Sequence, residues 1–200
     1  VPCANTNGAS NIKVEGELPS KDKVVIYAIK HQSAWETVFC TDFFSMPSIV
    51  LKKALIFLPV IGLYFLRSGA IPITRDQGIN ALKKMGRNAK IAVKKNRSMM
   101  IFPQGTRVSP GVSPKEKPYL PGVFFLYSQT KVPVVPVAHN AGLIWPKNSF
   151  IKYPERLSSK SVTLKILPEI QPGLSKKEFL SRLEAEIENA SNELIKKELS

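Results

Sequence analysis

Val24-Val-Ile-Tyr-Ala-Ile-Lys-His-Gln-Ser-Ala-Trp-Glu36 begins as a short apolar run, rich in β-branched residues, and ends in a polar turn. An apolar run of this length held between Lys23 and Lys30 is the pattern of a strand buried on both faces. A turn and then a helical pattern follow over 31–44. The same succession repeats along the chain. Further strands are predicted at 48–51, 70–74, 99–102, 132–138 and 162–167. Helices are predicted at 76–95 and 122–129, and an amphipathic helix closes the chain at about 175–197. In the 76–95 segment Ile79, Leu82, Met85, Ala89 and Val93 recur at spacings of three and four, which makes one apolar face. The closing helix has a stripe of Phe179, Leu183, Ile187, Ala190 and Leu194, and Ser175 with Glu178 forms a capping box at its start. Strands alternating with helices specify an α/β domain with a mostly parallel central sheet flanked by helices. No repeat or long linker divides it, so one domain is expected over 1–200.

Composition narrows the partners. The chain has 29 lysines and arginines against 15 aspartates and glutamates, a formal charge of +14. The segment 175–200 is close to neutral, so the excess lies in the body of the domain. Such a body suits an anionic partner: a nucleic acid, an anionic membrane or a phosphorylated substrate. Cys3 and Cys40 are not in a CxxC pair, and with His31 and His139 as the only histidines they do not suggest a zinc cluster. Two reduced, inert thiols are expected. The stretch 54–66 is uncharged but shorter than the ~20 residues a spanning helix needs. The chain opens on Val1, with neither a methionine nor a signal peptide, and a preceding membrane segment is compatible with that start.

Four blocks carry candidate chemistry. The first is His31-Gln-Ser-Ala-Trp-Glu36, placed where a parallel strand ends, which is where open α/β sheets bind ligands. A carboxylate that orients a histidine is the usual support for a general base. Within a continuous helix, residues five apart point roughly 140° away from each other. His31 must therefore lie in the turn, and Glu36 in the first helical turn, for the two to meet. The second block is Phe102-Pro-Gln-Gly-Thr-Arg107, in which glycine permits close backbone approach, threonine offers a hydroxyl and arginine offers a two-pronged donor for phosphate. The third, Gly69-Ala-Ile-Pro-Ile-Thr-Arg75, delivers another arginine at a strand end. The fourth, Lys131-Val-Pro-Val-Val-Pro-Val137, puts two prolines in an apolar run, which points to a sheet edge, a bulge or the start of a strand. Each block also has a plain structural reading: a helix-start histidine, a solvated arginine, a core strand.

In this order the blocks look like the four motifs of the glycerolipid acyltransferase family, whose bacterial members include 1-acylglycerol-3-phosphate acyltransferases. The resemblance covers roughly 24–167 and includes the stretch Leu51-Lys-Lys-Ala-Leu-Ile-Phe-Leu-Pro-Val-Ile-Gly62. The family has His-x4-Asp where this chain has His31 and Glu36, often with a serine at the position of Ser33. It usually has glutamate where Gln104 stands. The resemblance implies a glycerol-3-phosphate acyltransferase-like fold. It also implies transfer of an acyl group from acyl-CoA or acyl-carrier protein to the sn-2 hydroxyl of lysophosphatidic acid, giving phosphatidic acid for phospholipid biosynthesis. His31 would be the general base and Glu36 would take the aspartate's part. Arg75, Gly105, Thr106 and Arg107 would hold the acceptor phosphate. Ser33 and Gln104 would support the site, and Pro133 and Pro136 would shape the acyl-binding side. No bound cofactor or metal is implied. The expected place is the cytoplasmic face of a bacterial inner membrane.

The stretch 54–66, edged by Lys52, Lys53 and Arg67, is a candidate contact with an anionic membrane, and a core helix is its plain alternative. Glycerol 3-phosphate or another lysolipid is the alternative acceptor. A noncatalytic basic module binding nucleic acid or anionic lipid accounts for the charge, but not for the pairing of His31 with Glu36. Aromatic residues are also not interleaved with the basic ones as single-strand binders require, so no nucleic-acid partner is expected.

Overall fold

The computed structural model describes residues 12–74, 78–147 and 161–200. Among these residues seven strands form one sheet: β1 (Ile12–Glu15), β2 (Ile26–Ile29), β3 (Ser48–Lys52), β4 (Ile71–Ile73), β5 (Met99–Ile101), β6 (Val134–His139) and β7 (Val162–Ile166). Their spatial order is β1-β7-β6-β2-β5-β3-β4. All pairings are parallel except β6 with β7. The α-helices are α1 (Trp35–Phe43), α2 (Ile61–Arg67), α3 (Gly78–Lys94), α4 (Gly122–Thr130) and α5 (Lys176–Leu199). The mostly parallel α/β sheet expected from the sequence is thus the one found.

Strand β2 is buried along its whole length, and its side chains alternate between two cores, as the strand period requires. Ile26 and Ala28 join Met99, Ile101 and Val134 under α3, α4 and α5. Tyr27 and Ile29 join Ile49, Met100 and Val137 against α1 and α2, which contribute Cys40, Phe44 and Phe65. Helix α5 buries the predicted stripe, with Phe179, Leu183 and Ile187 fully enclosed. Its first turn carries the expected capping box, in which the Ser175 hydroxyl accepts from the Glu178 N–H and the Glu178 carboxylate accepts from the Ser175 N–H.

Two details depart from the sequence reading. Strand β1 was not expected. Its Ile-Lys-Val-Glu alternation offers only two apolar residues, and it is stable as an edge strand paired with β7. Of the places open to the two prolines, the strand start holds for Pro133, but Pro136 is not at an edge, because β6 lies between β7 and β2. Pro133 precedes β6, and its carbonyl accepts from the Ile26 N–H at 3.0 Å. Pro136 is internal, pairing with Ala28. Its carbonyl accepts from the Leu167 N–H at 3.0 Å, just beyond the last residue of β7. The donor that proline lacks is therefore missing at the end of the antiparallel ladder, where its loss costs least.

Because β2, β3, β4, β5 and β6 are parallel, their C-terminal ends share one edge of the sheet. That edge carries His31, the turn after β5 and the segment after β3.

Candidate active site

His31 lies in the turn after β2, and Glu36 lies in the first turn of α1. The His31 Nδ1 and Glu36 Oε1 atoms are 2.8 Å apart. The same carboxylate oxygen accepts the backbone N–H of Gln32 at 2.9 Å and that of Ser33 at 2.8 Å. The Ser33 hydroxyl in turn accepts from the Trp35 N–H at 3.1 Å. The Gln32 and Ser33 N–H groups thus tie the turn to the first turn of α1, and the same carboxylate oxygen is held against the imidazole. The longer side chain of glutamate suits this, since it must fold back over the turn.

Glu36 is fully buried, and its second oxygen, Oε2, has no partner among the described residues. Burial pushes the carboxyl up. The hydrogen bond to His31, the fields of His139 and His31 and the Ser33 N–H outweigh burial and hold it below its usual value. An ionised carboxylate on Nδ1 fixes the tautomer with Nδ1 protonated and leaves Nε2 as the basic nitrogen. Burial, and then the charge of Glu36, pushes the Cys40 thiol well up. This agrees with the expected inert thiol at Cys40. Cys3 lies outside the described residues.

The second block reaches the same place. The Phe102 ring stacks on the His31 ring with centroids 4.0 Å apart, and the Val108 N–H donates to the His31 carbonyl at 2.7 Å. Gly105 has a φ of 64°, a conformation that favours glycine, and its N–H donates to the Phe102 carbonyl at 2.9 Å. The chain turns here, and Thr106 and Arg107 follow half-exposed. Gln104 is buried, and its amide donates to the Lys117 carbonyl at 3.0 Å. A carbonyl needs a donor opposite it, which accounts for glutamine rather than a charged glutamate at this position. Arg75 lies outside the described residues. Pro133 stands before β6, where its carbonyl accepts from the Ile26 N–H, about 16 Å from His31 at ~3.3 Å per strand residue, and Pro136 is buried within β6. The structure therefore unites His31, Ser33, Glu36 and the 102–108 turn, and it leaves Pro133 at the far edge of the sheet.

Two residues of this site were not read from the sequence. His139 is fully buried at the end of β6. Its Nε2 lies 2.7 Å from the Lys30 carbonyl, and its Nδ1 accepts the Ala141 N–H at 3.2 Å. Both ring nitrogens are thus satisfied in the neutral form. Burial pulls its pKa below the usual histidine value, against the opposing pull of Glu36 and the Lys30 carbonyl. Lys30, also buried, forms an ion pair with Glu188 of α5, and the Tyr119 hydroxyl donates to the same carboxylate oxygen at 2.9 Å. Burial, and then Glu188, pushes the Tyr119 hydroxyl far up, so it stays a donor. The Gly142 N–H donates to the Gln32 side-chain oxygen at 3.0 Å. The residues on both sides of His31 are held by elements far away in sequence.

Residues 11–140 match the family model described as Acyltransferase. The chain belongs to the acyltransferase family. Among its relatives is the 1-acyl-sn-glycerol-3-phosphate acyltransferase of Pseudomonas aeruginosa, 39% identical over 137 residues, which cover 68% of this chain and 51% of that protein. The enzyme of the same name from Limnanthes douglasii is 29% identical over 161 residues, covering 80% of this chain and 54% of the relative. This acyltransferase-family chain therefore spans about half the length of the curated relatives it matches. The crystal structure of the 1-acyl-sn-glycerophosphate acyltransferase PlsC from Thermotoga maritima superposes with a TM-score of 0.73, at 24% identity, over 92% of this chain and 72% of that one. The fold is shared with that acyltransferase.

On the same edge as His31, the acyltransferase fold presents an unusual surface. The 3-10 turn Lys53–Phe57 and helix α2 follow β3. Phe57 is 75% exposed and Val60 83%. Leu55, Leu58, Ile61, Leu63 and Leu66 are exposed beside them, while Gly62 and Phe65 face inward. Lys52, Lys53 and Arg67 are exposed at the margins. Among the described residues no helix is long and apolar enough to cross a membrane.

Proposed function

We propose that the chain, acting as one acyltransferase domain, transfers a fatty acyl group from the thioester of acyl-CoA or acyl-carrier protein to the sn-2 hydroxyl of 1-acyl-sn-glycerol 3-phosphate, giving phosphatidic acid. The observation that carries this reading is the 2.8 Å pairing of His31 with the buried Glu36, beside the turn 102–108. The relatives' names supply the acceptor.

In this scheme Nε2 of His31 takes the proton of the acceptor hydroxyl as its oxygen attacks the thioester carbonyl carbon. The tetrahedral intermediate collapses with cleavage of the carbon–sulfur bond, and the imidazolium returns the proton to the departing thiolate. Glu36 stabilises the imidazolium between these steps. Such a base contributes typically 10²–10⁴-fold. Gly105, Thr106 and Arg107, with Arg75, hold the acceptor phosphate, which fixes the hydroxyl beside His31 and supplies the orientational part of catalysis. Ser33 sets the helix start, Gln104 braces the turn, and Pro133 and Pro136 act by shaping β6. No residue other than His31 needs to exchange a proton, and the acyl donor is the only co-reactant.

Both acceptor and product are lipids, and the exposed apolar surface of 54–66 suits a bilayer. Burying a large apolar side chain favours association by about 1.5–3 kcal/mol, and each flanking cation adds ~1 kcal/mol on an anionic surface. The domain would work with its catalytic edge against the membrane, at the cytoplasmic face of a bacterial inner membrane. The test is thiol release and phosphatidic acid formation in mixed micelles, followed together with each donor. His31→Ala should lower the rate by about 10²–10⁴-fold with an unchanged melting temperature. Undiminished transfer by that variant would remove His31 from the chemistry.

A further inference from the structure

Helix α3 contains Lys83, Lys84, Arg87, Lys90 and Lys94 and no acidic residue. All five are exposed. Spacings of four, three and four align Lys83, Arg87, Lys90 and Lys94 along one side of the helix, where like charges repel. The helix dipole accounts for Lys94 in the last turn, but not for the other four. Among the described residues none of the five is in an ion pair. Lys90 donates to the Gln129 side-chain oxygen at 3.1 Å.

Helix α4 lies alongside and brings no charge of its own. Gly86 lets the two helices close, since a Cβ there would meet the Phe125 ring at 2.8 Å. Between them runs a groove of about 270 Å³ lined by Lys83, Gly86, Arg87, Lys90, Phe125 and Gln129. It has a cationic rim, an aromatic wall and one amide.

This face cannot share the bilayer proposed for α2. Helices α3 and α4 pack on the sheet through the core that holds Ile26 and Met99, whereas α2 inserts Phe65 into the core on the opposite face. A flat lipid surface under one does not reach the outer side of the other. The stripe also runs about 16 Å from Lys83 to Lys94 at 1.5 Å per residue, longer than a groove that holds only three of the cations. Helix α3 starts near the catalytic edge, because it follows β4, and Lys83 is about 8 Å along its axis.

We infer that the α3–α4 face docks an acidic protein. If acyl transfer is the reaction, that protein is the carrier that brings the thioester, seated on the basic stripe with its acyl-bearing arm directed along α3 to His31. The inference rests on the proposed function for the carrier's role, and on the charge pattern alone for its acidity.

The test uses the intact protein. Binding of fluorescent acyl-carrier protein is read by anisotropy, and turnover is read with acyl-carrier protein and with acyl-CoA. The variant is Lys83→Glu/Arg87→Glu/Lys90→Glu. The control, Lys176→Glu/Lys177→Glu, makes the same kind of change on α5. The triple variant should weaken carrier binding at least roughly tenfold and raise the KM for the carrier-bound donor alike. It should leave acyl-CoA turnover and vesicle binding unchanged, and the control should match wild type. Raising the salt from about 50 to about 500 mM should reproduce the loss in wild type. Carrier binding that ignores the triple substitution overturns the inference. So does an equal loss with acyl-CoA, which assigns the groove to the coenzyme's phosphates, and so does a loss of vesicle binding, which assigns the face to lipid. If carrier binding depends on the stripe but neither donor is turned over, the docking face stands and the acyl-transfer reading falls.

Discussion

Helices α5 and α2 handle their apolar residues in opposite ways. In α5, Phe179, Leu183 and Ile187 are completely enclosed, Glu188 is paired with the buried Lys30, and Arg182 pairs with Glu186 at 2.7 Å. In the segment through α2, Phe57, Val60 and Leu63 face water, Gly62 and Phe65 are buried, and Ile56 and Tyr64 pack partly against the core. The chain's own core accounts for the whole sequence of α5. It leaves most of the apolar residues of α2 exposed. One helix stabilises the sheet, and the other presents apolar side chains to the outside, on the edge of the sheet that carries His31.

Substitutions can break that contrast. Phe179→Ala should cost about 3–5 kcal/mol of stability, read as a lower urea midpoint, with the vesicle affinity of the folded protein unchanged. Phe57→Ser with Leu63→Ser should do the reverse. Vesicle affinity should weaken by about 2–4 kcal/mol while the urea midpoint stays level or rises. A large stability loss in this double variant would mean that α2 belongs to the core after all. Lys52→Gln with Lys53→Gln should weaken binding to anionic vesicles by ~1 kcal/mol per charge and leave neutral vesicles unaffected.

Acidity sharpens the contrast further, because it acts on the interior. His139 and Glu36 are both held below their ordinary values. Below its ordinary value, each group takes up protons more readily in the unfolded chain, so falling pH favours unfolding. The His139 contribution is complete above about pH 6.5 and declines as pH falls below it, and the Glu36 contribution declines only below about pH 4.3. Urea midpoints should therefore drop in two stages on acidification. His139→Gln should remove the first stage, and the vesicle affinity of the folded protein should not follow it. A wild-type midpoint that is level between pH 7 and 5 would contradict this.

The sequence made some of this legible because the relevant physics is local. The apolar run at 24–29, the three-four spacing in α3 and the Ser175–Glu178 cap each lie within a few residues, and each appears in the structure. The way His31 meets Glu36 was also legible, since residues five apart meet only with the first in the turn and the second in the first turn of the helix. What escaped depends on distant partners. Lys30 at the end of an apolar strand looks solvated until Glu188, 158 residues on, is known to face it. His139 looks like one more polar residue after a strand until Lys30 and Ala141 are seen to take its two nitrogens. The antiparallel course of β7 lies in its pairing with β6, a contact between separate strands that periodicity does not encode. The two prolines left a sheet edge, a bulge, a strand start and a core strand all open, because the rule on prolines concerns the donor they lack, and the sequence does not show that the neighbouring ladder ends at Pro136.

The Lys30–Glu188 bond also sets an order in time. During synthesis β2, the His31 turn and α1 leave the ribosome long before α5 exists. Until α5 docks, Lys30 must either stay in water or be buried without its counter-charge, which is strongly unfavourable. The strand end that carries His31 therefore waits on α5 to bury its lysine. A nascent chain that stops short of α5 would hold both residues of the His31–Glu36 pair but lack the counter-charge that lets the lysine before them be buried.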